Sequence, residues 1–183
     1  MRPTPDDGCT VTQERLLVME ATMQDIDAVI GVWYKDGRTY YVKRSAEMQN
    51  YPNVWSLLSI QFKPEQLPDF TDLEAAQKIM ERMAEERLGG VPVKLTGYVK
   101  SSRCSDNPMH IPVTLHMYRI ELEREPELNP RYYVDAAWFT PEEYMKASEK
   151  ATCGLCMRMW SDYCYQMGLS EKRFAPPVRP DDE

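Results

Sequence analysis

Residues Glu81-Arg82-Met83-Ala84-Glu85-Glu86-Arg87-Leu88-Gly89 set three carboxylates and two guanidinium groups within nine positions. Clustered carboxylate oxygens are the ligands of hard divalent cations such as Mg2+ or Mn2+. A cation held in this way acidifies a bound water. The periodicity around this run is helical, and at about 100° per residue Arg82 lies within roughly 60° of both Glu85 and Glu86. Arg82 therefore points into the face on which those acids would hold a metal. The alternative is a solvated, ion-paired surface in which Lys78, Arg82 and Glu86 stand one turn apart, with Glu81 beside Glu85.

This run resembles the signature of the Nudix hydrolase superfamily, which reads Gly, five residues, Glu, seven residues, Arg-Glu, an aliphatic residue, any residue, Glu-Glu, any residue, Gly and an aliphatic residue. Glu85-Glu86 match the final acid pair and Met83 takes the aliphatic slot. Tyr51-Pro52-Asn53-Val54-Trp55-Ser56-Leu57 resembles the approach to that box, and Trp138-Phe139-Thr140-Pro141-Glu142-Glu143 its sequel. The likeness spans roughly residues 27–148.

It implies an α+β fold, a Nudix-like mixed β-sheet sandwiched between helices. It also implies metal-dependent hydrolysis of a nucleoside diphosphate linked to another moiety, with Mg2+ or Mn2+ as cofactor. Glu85 and Glu86 would be the catalytic residues, and Glu81, Glu85 and Glu86 the metal ligands. Three positions depart from the pattern. The Arg-Glu pair falls on Glu81-Arg82, Leu58-Ser59-Ile60-Gln61 stands where a Gly-Gly turn is expected, and the box glycine comes one place late, at Gly89. A catalytically inactive domain of this fold, binding a nucleotide or a protein partner, is the alternative function.

Positioning these residues requires a strand framework. The apolar run 28–34, the turn pair Asp36-Gly37 and the run 39–44 predict a hairpin. Further strands are expected over 54–62, 93–100, 111–122 and 132–139. A helix is expected over 72–88, with Leu73, Ala76, Met80 and Met83 on its packed face, a capping box from Thr71 to Glu74, and a stop at Gly89-Gly90. Thr140-Pro141-Glu142-Glu143 starts a second helix, and a third covers 151–167, burying Leu155, Cys156, Met159 and Tyr163 and ending at Gly168. Lys43-Arg44, at the end of the second strand, is a candidate clamp for substrate phosphates.

The 183 residues suit one domain, with its core over about 27–168 and mobile ends at 1–10 and 175–183. A net charge of -7 argues against bulk nucleic acid and anionic membranes as partners. A nucleoside diphosphate derivative is the expected small-molecule partner, and a homodimer stays open. The opening residues lack a secretory apolar stretch, so a cytoplasmic location is expected. Five cysteines (Cys9, Cys104, Cys153, Cys156 and Cys164) read as reduced packing residues. Cys153-x-x-Cys156 supplies only half a zinc spacing, and zinc is not expected.

Overall fold

A computed structural model describes residues 25–108, 110–148 and 153–180. The predicted turn closes a two-residue hairpin loop, with Asp36 at φ 51° and Gly37 at φ 76°. Both values are left-handed, as a type I′ turn requires. The strand entering it is not continuous, however. β1 (Ile26–Val32) breaks at Trp33 before β2 (Tyr34–Lys35), and only β2 pairs with β3 (Arg38–Arg44) in the hairpin.

β1 instead lies between β5 (Leu58–Phe62), antiparallel, and β7 (Val113–Leu122), parallel. Its two faces feed different cores. Val29 packs into one cluster, while Ala28, Ile30 and Val32 pack into another. A strand covered on both sides reads as a continuous apolar run, which is why residues 28–34 look unbroken in sequence. The run 54–62 divides in the same way at fully buried Leu57, into β4 (Trp55–Ser56) and β5.

The fold is α+β as expected, and its described strands form two four-stranded sheets. One, ordered β5-β1-β7-β6, is mixed through its parallel β1–β7 pair. The other joins β2, β3 and β4 with β8 (Tyr133–Phe139) on β3. β6 (Val93–Cys104) runs beyond its expected end and carries two register shifts against β7.

Helix α1 (Leu73–Arg87) buries Ala76, Ile79, Met80, Met83 and Ala84 against the first sheet. Leu73, assigned to this face from sequence, is 43% exposed because it sits in the first turn, ahead of the packed stripe. The cap is Asp72, not Thr71: its carboxylate accepts from Glu74 N and Ala75 N, both at 3.1 Å. Thr71 spends its hydroxyl on Asp69, at 2.7 Å. The charged acceptor one residue nearer the helix is the stronger cap.

α2 (Pro141–Ala147) starts as predicted, with Thr140 and Glu143 forming a reciprocal capping box. α3 (Leu155–Gln166) starts at Gly154, and the earlier part of its expected span, 151–152, lies outside the described residues. The expected mobile start, 1–10, also lies outside them. Within the C-terminal segment, Ala175 N bonds Ser161 Oγ at 3.0 Å and Val178 N bonds Asp162 Oδ2 at 2.9 Å. Both acceptors are buried side chains of α3. No helix among the described residues is long and apolar enough to cross a membrane.

Candidate functional site

Where β1, β5 and the start of β7 meet the loop after β3, a cavity of about 150 Å3 opens against the N-terminus of α3. Ile26, Ala28, Val113, Leu115 and Met157 give it apolar walls, and Arg44, Asn50, Ser59, Gln61 and Arg87 give it polar ones. Asp106 is the carboxylate on its rim; it is exposed and lies 3.8 Å from Arg179. The α3 end facing the cavity is capped by Gly154 without a side-chain acceptor. It therefore brings the positive end of the helix dipole, with no side-chain cap among the described residues.

Arg87 reaches the cavity because it continues the buried stripe of α1. Met80, Met83 and Arg87 are spaced i, i+3, i+7, and the two methionines are fully buried. Its Nη1 donates to Ser59 O at 2.7 Å, and its guanidinium lies 4.2 Å from the centroid of the Tyr132 ring. Arg82 also turns toward β5, with Nη2 donating to Gln61 O at 2.5 Å. The expected Lys78–Arg82–Glu86 ladder does not form. Lys78 pairs with Glu74 at 3.4 Å, and the Gln61 carbonyl takes Arg82.

The three predicted glutamates do not line this cavity. Glu85 and Glu86 are exposed, as is Glu81, whose carboxylate accepts from Gln77 at 2.8 Å. The rotation per residue explains it: at about 100° each, Glu85 points about 160° away from Arg87. The glycine of the box gives the same register. Gly89 has φ 63°, and a Cβ there would stand 3.0 Å from Glu127 Cβ, whereas Leu88 is fully buried. Anchored on Gly89, the signature puts Arg82 in its arginine slot, Met83 in the acid slot after it, and Glu86-Arg87 in the final pair. The first glutamate of the signature then falls on Glu74, so two of its four acid slots, those at Met83 and Arg87, hold no acid.

The donor set therefore does not fit Mg2+ or Mn2+. Among the described residues no three His, Cys, Asp or Glu side chains are grouped to hold a metal ion, and the residue that the helix presents to the cavity is Arg87. Cys104 and Cys156 line its wall as small apolar groups, with Cys156 Sγ 3.5 Å from Ser56 Oγ. Burial, then the neighbouring Cys156, pushes the Cys153 thiol up to about 12, far from a reactive thiolate. Cys9 lies outside the described residues.

Lys43 and Arg44 are separated. The register of β3 against β8 shifts between them, and Lys43 lines a different depression beside Trp55 and Tyr144. Arg44 lines the main cavity. Burial, followed at lesser weight by the like charge of Arg87, lowers its pKa; the nearby Tyr133 and Cys156 oppose this. Its Nε donates to Asn50 O at 2.9 Å, and its backbone binds Val54 O at 2.9 Å and Asn53 N at 3.1 Å. These bonds hold a loop in which Tyr51 and Asn53 take left-handed φ of 49° and 59°. Strain of that kind persists only where the surroundings impose it.

Among the described residues neither Arg44 nor Arg87 pairs with a carboxylate. Asn50 Oδ1 and Arg87 Nε are buried without a hydrogen-bond partner. Sequence reasoning singles out neither Asn50 nor Arg87. For Arg87 the available signal is its place on the apolar stripe of the helix; for Asn50 there is none.

No family model matches the chain, and no curated protein matches it in sequence. Solved structures do match. The MutT protein from Methanosarcina mazei Go1 aligns with a TM-score of 0.59 at 13% identity, over 78% of this chain and 95% of its own. A NUDIX hydrolase from Nitrosomonas europaea aligns with a TM-score of 0.55 at 16% identity, over 79% and 90%. The MutT NUDIX hydrolase from Burkholderia pseudomallei gives 0.52 at 18% identity, over 70% and 93%. At such identities the likeness is one of architecture, and it agrees with the two sheets, the box helix and the flanking motifs: the chain has the Nudix fold.

Proposed function

We propose that this chain is a non-hydrolytic Nudix-fold domain that binds an anionic small molecule of the nucleotide class in the cavity beside Arg44 and Arg87. The observation that carries this reading is the composition of the box helix. Its cavity-facing position is Arg87, Met83 is buried in the core, and Glu85 and Glu86 face solvent. A metal-dependent phosphohydrolase needs carboxylates where charge develops. A binding site for an anion needs fixed cations, which two half-buried guanidinium groups supply.

The apolar walls fit the other half of such a ligand. Ligand pockets are typically apolar with a few placed polar groups, which is the balance found around this cavity. The domain then needs neither Mg2+ nor Mn2+ to bind. Single-domain organisation and a cytoplasmic setting accord with this role.

Thermal melts with a panel of nucleosides and nucleotides, all in excess EDTA, test the reading. A ligand that binds only the native state must raise its melting temperature. At least one phosphorylated member should do so without metal. If none shifts the melt in EDTA while Mn2+ restores the shift, metal-dependent binding replaces this proposal.

A further inference from the structure

Resting on the reading just given, we infer that the ligand is a nucleoside monophosphate: one base-sized ring system with a hydrogen-donating edge and one phosphate, bound without metal. Three observations set these terms independently.

The first is size. A cavity of about 150 Å3 is comparable to one that accepts a single benzene-sized ring. It has room for one ring among Ile26, Ala28, Val113 and Leu115, and an adjoining open depression along Arg44, Met48, Asn50 and Gln61 leaves space for the sugar and its phosphate.

The second is the pair of orphaned atoms on its wall. Arg87 Nε is a buried donor and Asn50 Oδ1 a buried acceptor, and neither has a partner among the described residues. Unpaired buried polar groups are rare and costly, so the two together specify a complement that brings one acceptor and one donor. A phosphate oxygen satisfies Arg87, and a base N–H satisfies Asn50.

The third is charge. Arg44 and Arg87 bring two positive charges, neither neutralised by a carboxylate of the described residues, and the N-terminus of α3 adds to them. A phosphate monoester carries about -1.5 to -2 near neutral pH, which these groups balance. Arg44 stays attached to Asn50 O through Nε, so this charge and the Asn50 acceptor are held together at the start and turn of one loop.

Calorimetric titration in EDTA of adenosine, AMP, ADP, ADP-ribose and purine riboside 5′-monophosphate tests this, the last lacking the exocyclic amine and any ring N–H donor. AMP should bind at least tenfold tighter than adenosine and at least as tightly as ADP-ribose. Purine riboside monophosphate should bind several-fold more weakly than AMP. Arg44→Gln should weaken AMP at least tenfold. Because Arg44 also holds its loop, Asn50→Leu is the second variant: it removes an unpaired acceptor, so the melting temperature should hold or rise while AMP affinity falls.

An Asn50→Leu protein that melts normally and binds AMP as tightly as wild type overturns the assignment. ADP-ribose binding at least tenfold tighter than AMP overturns the monophosphate inference but leaves the cavity reading standing. No binding of any of the five overturns both.

Discussion

Arg87 and Ser59 are joined across the helix–sheet boundary, the guanidinium of the one donating to the carbonyl of the other at 2.7 Å. Nothing in residues 58–61 offers the glycine turn of the familiar signature, and the half-buried Ser59 carbonyl is answered by an arginine side chain. A cation is thereby fixed at the spot where a metal-binding helix would carry an acid.

Arg87→Met should remove that bond and the stacking on Tyr132 while keeping an apolar stem on the stripe. The loss should be about 1–3 kcal/mol, the range for a charge-assisted hydrogen bond. Urea denaturation of wild type and variant, compared at equal m-value, measures it. A change within error would mean that Arg87 contributes nothing to joining α1 to β5.

Arg82→Glu restores the acid that the sequence register asks for, yet it should create no metal site, because Glu85 is exposed on a face turned away from the cavity. Losing the bond to Gln61 O should lower stability by about 1 kcal/mol. Calorimetry with Mn2+ should show no gain in affinity over wild type. A clear gain would restore the original register, with the introduced carboxylate joining Glu85 and Glu86 as ligands in the variant.

Much of this architecture is legible from local chemistry. Asp36-Gly37 announces its turn, and Thr140-Pro141 announces α2. What escapes the sequence are features decided by distant contacts. The break at Trp33 depends on β1 finding β7 more than eighty positions later in the chain. The register of the box depends on Gly89: taking the acid pair as the anchor shifts every assignment by one position, which on a helix is about 100°. Arg44 does stand on a cavity wall, as its type and place suggested, but its neighbour Lys43 lines another depression, across an irregularity in β3 that no local residue pattern announces.

His116 gives a pH signature. Its Nδ1 lies 2.6 Å from Ser101 Oγ, and Phe70 stacks on it at 5.6 Å. Burial lowers its pKa below 6.5, with Asp27 opposing more weakly. The unfolded chain then binds more protons than the folded one as pH falls below that value, so stability drops there. Asp27, raised from 3.8 chiefly by burial, acts with the opposite sign in the range above its own ordinary value. The melting temperature of wild type should fall more between about pH 7.5 and about pH 5.5 than that of His116→Gln. Equal falls would remove His116 as the cause.

Gly31 sits in β1 where the helix and β7 close most tightly. A Cβ there would stand 2.8 Å from Ile120 Cδ1 and 3.4 Å from Met80 Sδ. Gly31→Ala should cost about 1–3 kcal/mol through overpacking. Chemical denaturation reads it, and the double change Gly31→Ala with Ile120→Val should recover part of the loss. No recovery would place the strain elsewhere.

The account turns on whether nucleotide binding is uncoupled from phosphate chemistry, and 31P NMR of ADP-ribose and AMP with the protein and excess Mg2+ observes both at once. The AMP resonance should shift or broaden on binding, in Mg2+ and in EDTA alike, while the diphosphate resonances of ADP-ribose persist without conversion to monoesters. Conversion of ADP-ribose that disappears in the Glu85→Gln, Glu86→Gln double variant would contradict the account and return those glutamates to the catalytic role the sequence first suggested.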